Sequence, residues 1–190
     1  MASVVLTGDT SGSLTLSAPL VAGSNTQTLV ATTGTLAPVV SATAQASTSG
    51  TVIDFTSIPS WVKRITVMFN GVSTNGSSSI LIQIGAGSIT NTGYASTYAL
   101  PSGSTISSSN STAGFIIGTN VASAIASGVL TIQTLGSNIW VSGHTIKSAV
   151  SNTSFGGGDI TLGGTLDRVR ITTVNGTDAF DAGTINILYE

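Results

Sequence analysis

From residue 50 onward the apolar residues alternate with polar ones or gather in runs of five to nine, broken by Gly, Asn and Ser. No window carries the i, i+3, i+4, i+7 stripe of an amphipathic helix, so the pattern predicts an all-β chain. The clearest strand is WVKRITVMF, residues 61–69, with Trp61, Ile65, Val67 and Phe69 on one face and Arg64, Thr66 and Met68 on the other. Further strands are expected near residues 51–55, 79–85, 114–118, 128–135, 138–147, 159–163, 166–174 and 184–189, about nine in all. Such a series, with turn signals roughly every 8–12 residues, fits a jelly-roll-like β-sandwich. Asn70-Gly71, Asn75-Gly76 and Asn175-Gly176 supply the positive φ of tight turns. The polar stretches 86–112 and 148–158 read as loops at the ends of the sandwich.

The opening segment obeys a different pattern. Residues 11–38, SGSLTLSAPLVAGSNTQTLVATTGTLAP, hold no charge and no aromatic ring, and Leu14, Leu16, Leu20, Leu29 and Leu36 dot a background of Ser, Thr, Ala and Gly. Its pieces SVVLTG and GSLTLSA are β-prone, but one copy has too few apolar residues to offset the ordering cost of about 1–2 kcal/mol per residue. Such a segment finds its dry surroundings on other chains. Residues 1–45 are therefore expected to dock or intertwine, most economically as a homotrimer, with the five leucines at the contact. The Ser, Thr and Ala run at 41–50 marks the break, and residues 50–190 form the sandwich head.

Charge changes the picture of function more than of fold. Only 6% of the 190 residues are charged, the net charge is −2, and no Asp, Glu, Lys or Arg lies between Arg64 and Lys147. Such a chain lacks the basic patch that nucleic acid requires. There is no apolar run long enough to cross a bilayer as a helix, so no membrane insertion is expected. With no cysteine there is no disulfide framework, thiolate metal site or cysteine nucleophile. The first residues, MASVVLTGDT, lack the basic and then apolar regions of a secretory signal, so synthesis in the cytoplasm is expected.

Candidate chemistry is thin. His144 is the one histidine, and without a G-x-S-x-G elbow near any serine it reads as a strand residue rather than a general base. Asp178 and Asp181 in NGTDAFDAG have oxygens for calcium or for glycoside hydrolysis, yet Asp and Asn in such loops chiefly accept backbone N–H bonds in turns. Arg168 and Arg170, at i and i+2 on one strand face, are candidates for ion pairs with Asp54, Asp159 or Glu190 carboxylates at a subunit contact. Trp140 reads as core or interface. Tyr94 and Tyr98, in GYASTYALPSG, are the candidate receptor contacts, since aromatic faces stack on sugar rings. Gly156, Gly157 and Gly158 precede no helix and read as a mobile turn rather than a phosphate cradle. No catalytic residue, metal or cofactor is expected.

The segment GDTSGSLTLSAPLVAGSNTQTLVATTGTLAP, residues 8–38, together with WVKRITVMFNGVSTNG and GGTLDRVRITTVNGTDAFDAGTINILYE, resembles phage tail fibres and other virion appendage proteins. The resemblance implies a homotrimeric structural protein of the virion, attached to other virion proteins by its N-terminal segment and turning its C-terminal head outward to a host-surface glycan. A short tail fibre is the expected role. A capsid decoration or head-fibre protein is the alternative, and a small glycan hydrolase a distant one.

Overall fold

A computed structural model describes residues 3–7, 13–17, 38–119, 121–148 and 152–190. The chain divides into two units, Met1–Leu36 and Ala37–Glu190. In the first unit β1 (Ser3–Thr7) and β2 (Ser13–Ser17) pair antiparallel, with Leu6 opposite Leu14 and Val4 opposite Leu16. Leu14 and Leu16 thus sit on one hairpin strand, while Leu20, Leu29 and Leu36 lie outside the described residues.

The second unit is all strand, turn and loop. In chain order come β3 (Val40–Ser41), β4 (Gln45–Ala46), β5 (Ile53–Thr56), β6 (Arg64–Thr74), β7 (Ile80–Ala86), β8 (Ser88–Ile89), β9 (Ala95–Ser102) and β10 (Thr105–Ser111). They are followed by β11 (Phe115–Ile117), β12 (Ala126–Gly136), β13 (Ile139–Lys147), β14 (Thr153–Thr161), β15 (Arg168–Thr173) and β16 (Phe180–Tyr189). A nine-stranded antiparallel sheet runs β10-β9-β14-β13-β12-β6-β16-β3, with β4 also on β16. A five-stranded one runs β11-β7-β15-β5, with β8 on β7.

The winding is that of a jelly roll. With β3 and β4 counted as one strand, the order β3/β4-β16-β6-β12 in one sheet faces β5-β15-β7-β11 in the other, the arrangement of two Greek keys closed on each other. Two insertions complete the larger sheet. The β9–β10 hairpin, inserted before β11, and the β13–β14 hairpin, inserted before β15, meet beyond β12 and extend it by four strands. The main core lies between the sheets: Ile65, Val67, Phe69, Leu130, Ile132, Ile185 and Ile187 on one side, Ile82, Ile84, Phe115, Val169 and Ile171 on the other. A smaller cluster of Leu81, Tyr98, Leu100 and Ile116 lies where β11 and β7 meet the extension.

Several expectations change. The polar stretches 86–112 and 148–158 are largely strands, β8 to β10 and β14. Their alternation is real but mixes small polar with large residues: along β9 it is Ser96, Tyr98 and Leu100 that are buried. Gly156 to Gly158 lie inside β14, where a Cβ at Gly156 or Gly158 would overlap the backbone of β9. Asn70-Gly71 is no turn; Gly71, at φ 66°, forms a bulge within β6, and the register to β16 shifts beside it. Trp61 precedes β6 in a turn and is 39% exposed, leaving Val62 to fill the core. The run 41–50 belongs to the head, because β3 and β4 within it hydrogen-bond to β16.

Candidate functional site

At one mouth of the sandwich the edge of one sheet, β3 and β4 against β16, stands off from β5 of the other and leaves a groove of about 250 Å³. Thr43, Gln45, Thr56, Ser57 and Tyr189 line it with Asp54, whose carboxylate is taken by Arg170, and Phe55 and Ile187 form the apolar wall. The Gln45 side-chain amide donates to the Asp54 carbonyl at 2.7 Å and so bridges the two sheets. Ser57 is held at φ 61°, a left-handed conformation uncommon for a residue with a Cβ and often found where backbone is shaped for function. The Tyr189 ring meets Trp61 at a centroid distance of 6.0 Å and a tilt of 49°. Backbone bonds between Arg64 and Glu190, and the Arg64–Glu190 ion pair, fix this rim.

The groove is smaller than the roughly 300–1,000 Å³ typical of drug-sized ligands. Its chemistry is hydroxyl, amide and aromatic. That combination suits a single neutral ring bearing hydroxyls, which takes hydrogen bonds at its edge and stacking on its face.

The residues singled out from the sequence lie elsewhere. Tyr94 is 2% exposed, so it is no receptor contact. Its hydroxyl accepts from the Ile84 N–H at 2.7 Å and reaches the Thr90 and Ile84 carbonyls, and its ring meets Phe115 edge-on. Burial pushes its hydroxyl up to about 12. Tyr98 is likewise buried, its ring lying over Gly118 where a Cβ would overlap it. Both were expected to be exposed because their segment reads as a loop; it is β9, whose inner face Tyr98 occupies and Tyr94 adjoins.

Arg170 makes the two-pronged bond to Asp54, with both oxygens at 2.7 Å, but inside one chain across β15 and β5 rather than between subunits. Arg168 pairs with its own neighbour Asp167 at 2.7 and 3.0 Å, and that guanidinium, helped by the Gly87 N–H, lowers the Asp167 carboxyl below its usual range. Asp178 is lowered too, by the Asn175 side chain and then the Ser78 N–H, in a turn closed by Asn175 Oδ1. Asp181 accepts from the Ser73 hydroxyl.

His144 lies on the inner face of β13 and is 8% exposed. Its Nε2 meets Ser154 Oγ at 3.1 Å, and that hydroxyl accepts the Gly118 N–H at 3.0 Å, leaving its own hydrogen for the imidazole. Burial pulls the ring down to about 4, so it is neutral at ordinary pH. Trp140 is core, as its sequence context implies, and its indole N–H and the nearby Ser142 hydroxyl are buried without a partner. Among the described residues no three of His, Asp and Glu come together as a cluster able to hold a metal.

No protein family model matches the chain, and neither a curated protein nor a solved structure matches it. The groove is the site that reasoning from sequence missed. Gln45 of β4, Ser57 and Trp61 of the β5–β6 connection and Tyr189 of β16 share no motif; the one local signal is Ile58-Pro59, a turn marker beside Ser57.

Proposed function

We propose that this chain is a structural protein of a bacteriophage virion, a short tail fibre in which the unit before the head, residues 1–36, assembles three copies and attaches them to the particle. Its jelly-roll head then binds a neutral glycan of the host surface in the groove between β5 and β16. The observation that carries the reading is the groove itself: a lining of hydroxyls and an amide whose one carboxylate, Asp54, is neutralised by Arg170, with exposed Trp61 and half-buried Tyr189 at its rim. The scarcity of charge supports it, because a permanent assembly with large subunit contacts is served poorly by ions that would each need a buried partner. Binding rather than hydrolysis is favoured by the carboxylates of Asp178 and Asp181, both engaged in local hydrogen bonds, and by the enclosure of His144.

Two measurements test it. Purified protein titrated with host-surface polysaccharide should bind, and Trp61→Ala or Gln45→Ala should weaken binding about ten-fold, the loss of one well-placed contact. No binding by the wild type removes the glycan. Imaging virions labelled at residue 190 should place the label on the tail, whereas label over the capsid lattice replaces the fibre with a decoration protein.

A further inference from the structure

A β-sheet is only as closed as its edges, and the head leaves its edges in very different states. On the five-stranded sheet, β5 is four residues long and its Asp54 carbonyl is taken by Gln45. The opposite edge, β11, is capped from the other sheet: Ile116 N–H donates to Ser96 Oγ, Gly118 N–H to Ser154 Oγ, and Ser148 Oγ to the Gly118 carbonyl, at 2.8 to 3.0 Å. On the nine-stranded sheet, the β3/β4 edge consists of two strands of two residues each. The last edge is β10, seven residues of TISSSNS, and among the described residues no strand lies on its outer side.

Nothing guards β10. Folded proteins blunt a free edge with Lys, Pro, a bulge or a covering loop, since a long flat edge is a template for another strand. Here there is no charge and no proline, and the register to β9 runs without a shift from Thr105 opposite Ser102 to Ser111 opposite Ser96. Six of the seven residues are exposed, Ile106 to 71%, although the strand alternates its side chains between two faces. The strand therefore buries almost nothing of its own.

We infer that β10 is the contact through which two heads join, pairing antiparallel with β10 of a second copy. Three observations choose that occupant. With no charged residue on either strand of the β9–β10 hairpin, a second copy meets no like charge. The other long edges are capped or short, so a head-to-tail join has no matching edge to accept β10. A contact of β10 with itself is isologous and closes after two copies, which prevents an open fibre. The register that pairs all seven residues centres on Ser108, with Ser107 opposite Ser109 and Ile106 opposite Asn110. The join is independent of the groove and of the virion reading, and it adds a factor of two to whatever assembly residues 1–36 provide.

The test uses the full chain. Because it has no cysteine, Ser108→Cys introduces a single thiol, which the two-fold places opposite its own copy with Cβ atoms about 4.5–5.5 Å apart. Oxidation should yield a covalent pair. Thr105→Cys puts the two thiols roughly 20 Å apart, at about 3.4 Å per residue, and should cross-link at least about ten times more slowly. Equal rates at the two positions, or no cross-link at Ser108, overturn the proposal. The double variant Ser107→Lys with Ser109→Lys charges the edge without touching the core. It should halve the assembled mass in sedimentation and release protection of the 105–111 amides. An unchanged mass overturns the proposal, and a three-fold change would instead report on the opening segment.

Discussion

The two halves of the nine-stranded sheet face the same partner sheet and hold it by different means. In the jelly-roll half, β6, β12 and β16 present Ile65, Val67, Leu130, Ile132, Ile185 and Ile187, all buried and aliphatic. In the extension, the inner faces of β13, β14 and β9 mix apolar Trp140, Ile146, Ile160, Tyr98 and Leu100 with Ser142, His144, Ser154, Gly156 and Ser96. The first half meets side chains, and burial of apolar area holds it. The second packs apolar side chains too, but it also covers the backbone edge of β11, which needs donors and acceptors there, because an unpaired buried N–H costs about 1–3 kcal/mol. One sheet thus shows that an inner face is chosen by what it covers, and that a polar inner face is no sign of exposure.

The strongest way to break this comparison is to empty each half in turn. Ile132→Ala, at a fully buried site of the jelly-roll half, should cost about 3–4 kcal/mol through lost transfer energy and the cavity left behind. Denaturant melts would read it as a lower midpoint at unchanged slope. A loss below about 1 kcal/mol would mean that the aliphatic face is not what holds the sheets.

Between about pH 6.5 and 4 acid should act chiefly on the extension. His144 titrates near 6.5 when unfolded and near 4 when folded. Its lowered value means that the unfolded chain binds the proton first, so this part of stability is complete above about pH 6.5 and declines as pH falls toward 4. Over that window the linked loss is of order 3 kcal/mol. His144→Gln, which keeps a partner for Ser154 but does not titrate, should flatten the profile there. If wild type and variant fall together with pH, the histidine is not enclosed as described. Smaller again is Ser154→Ala, expected to cost about 2 kcal/mol by leaving the Gly118 N–H buried and unpaired. Hydrogen exchange should show that amide, and not those of β6, opening first.

The same contrast explains what the sequence made legible. β6, β7, β12, β15 and β16 announce themselves by alternating or continuous aliphatic residues, because their inner faces pack on side chains. β9, β10 and β14 did not, and 86–112 and 148–158 read as loops, since a pattern search keyed to apolar residues is silent where serine and glycine face a backbone edge. Asn70-Gly71 has the composition of a turn, yet Val72 beyond it is fully buried, and a strand that continues inward on both sides turns the pair into a bulge. Tyr94 and Tyr98 followed from the loop reading and fell with it. The groove was out of reach for another reason: Gln45, Ser57 and Tyr189 become neighbours only once the jelly-roll winding sets β4, β5 and β16 side by side.

The outer faces supply the smallest effect and sharpen the claim that inner faces decide. Arg170 and Asp54 form the best-aligned ion pair of the head, two-pronged and between neighbouring strands of the five-stranded sheet, yet both side chains are about one-third exposed. Water screens such a pair and competes for its hydrogen bonds, so Asp54→Asn should cost no more than about 1 kcal/mol, less in high salt. Measured against Arg170→Gln in a double-mutant cycle, the coupling should be of the same small size. A coupling above about 2 kcal/mol would place part of the hold between β5 and β15 on the outer surface. The division between side-chain packing in one half and hydroxyl capping in the other would then describe only one side of the sandwich.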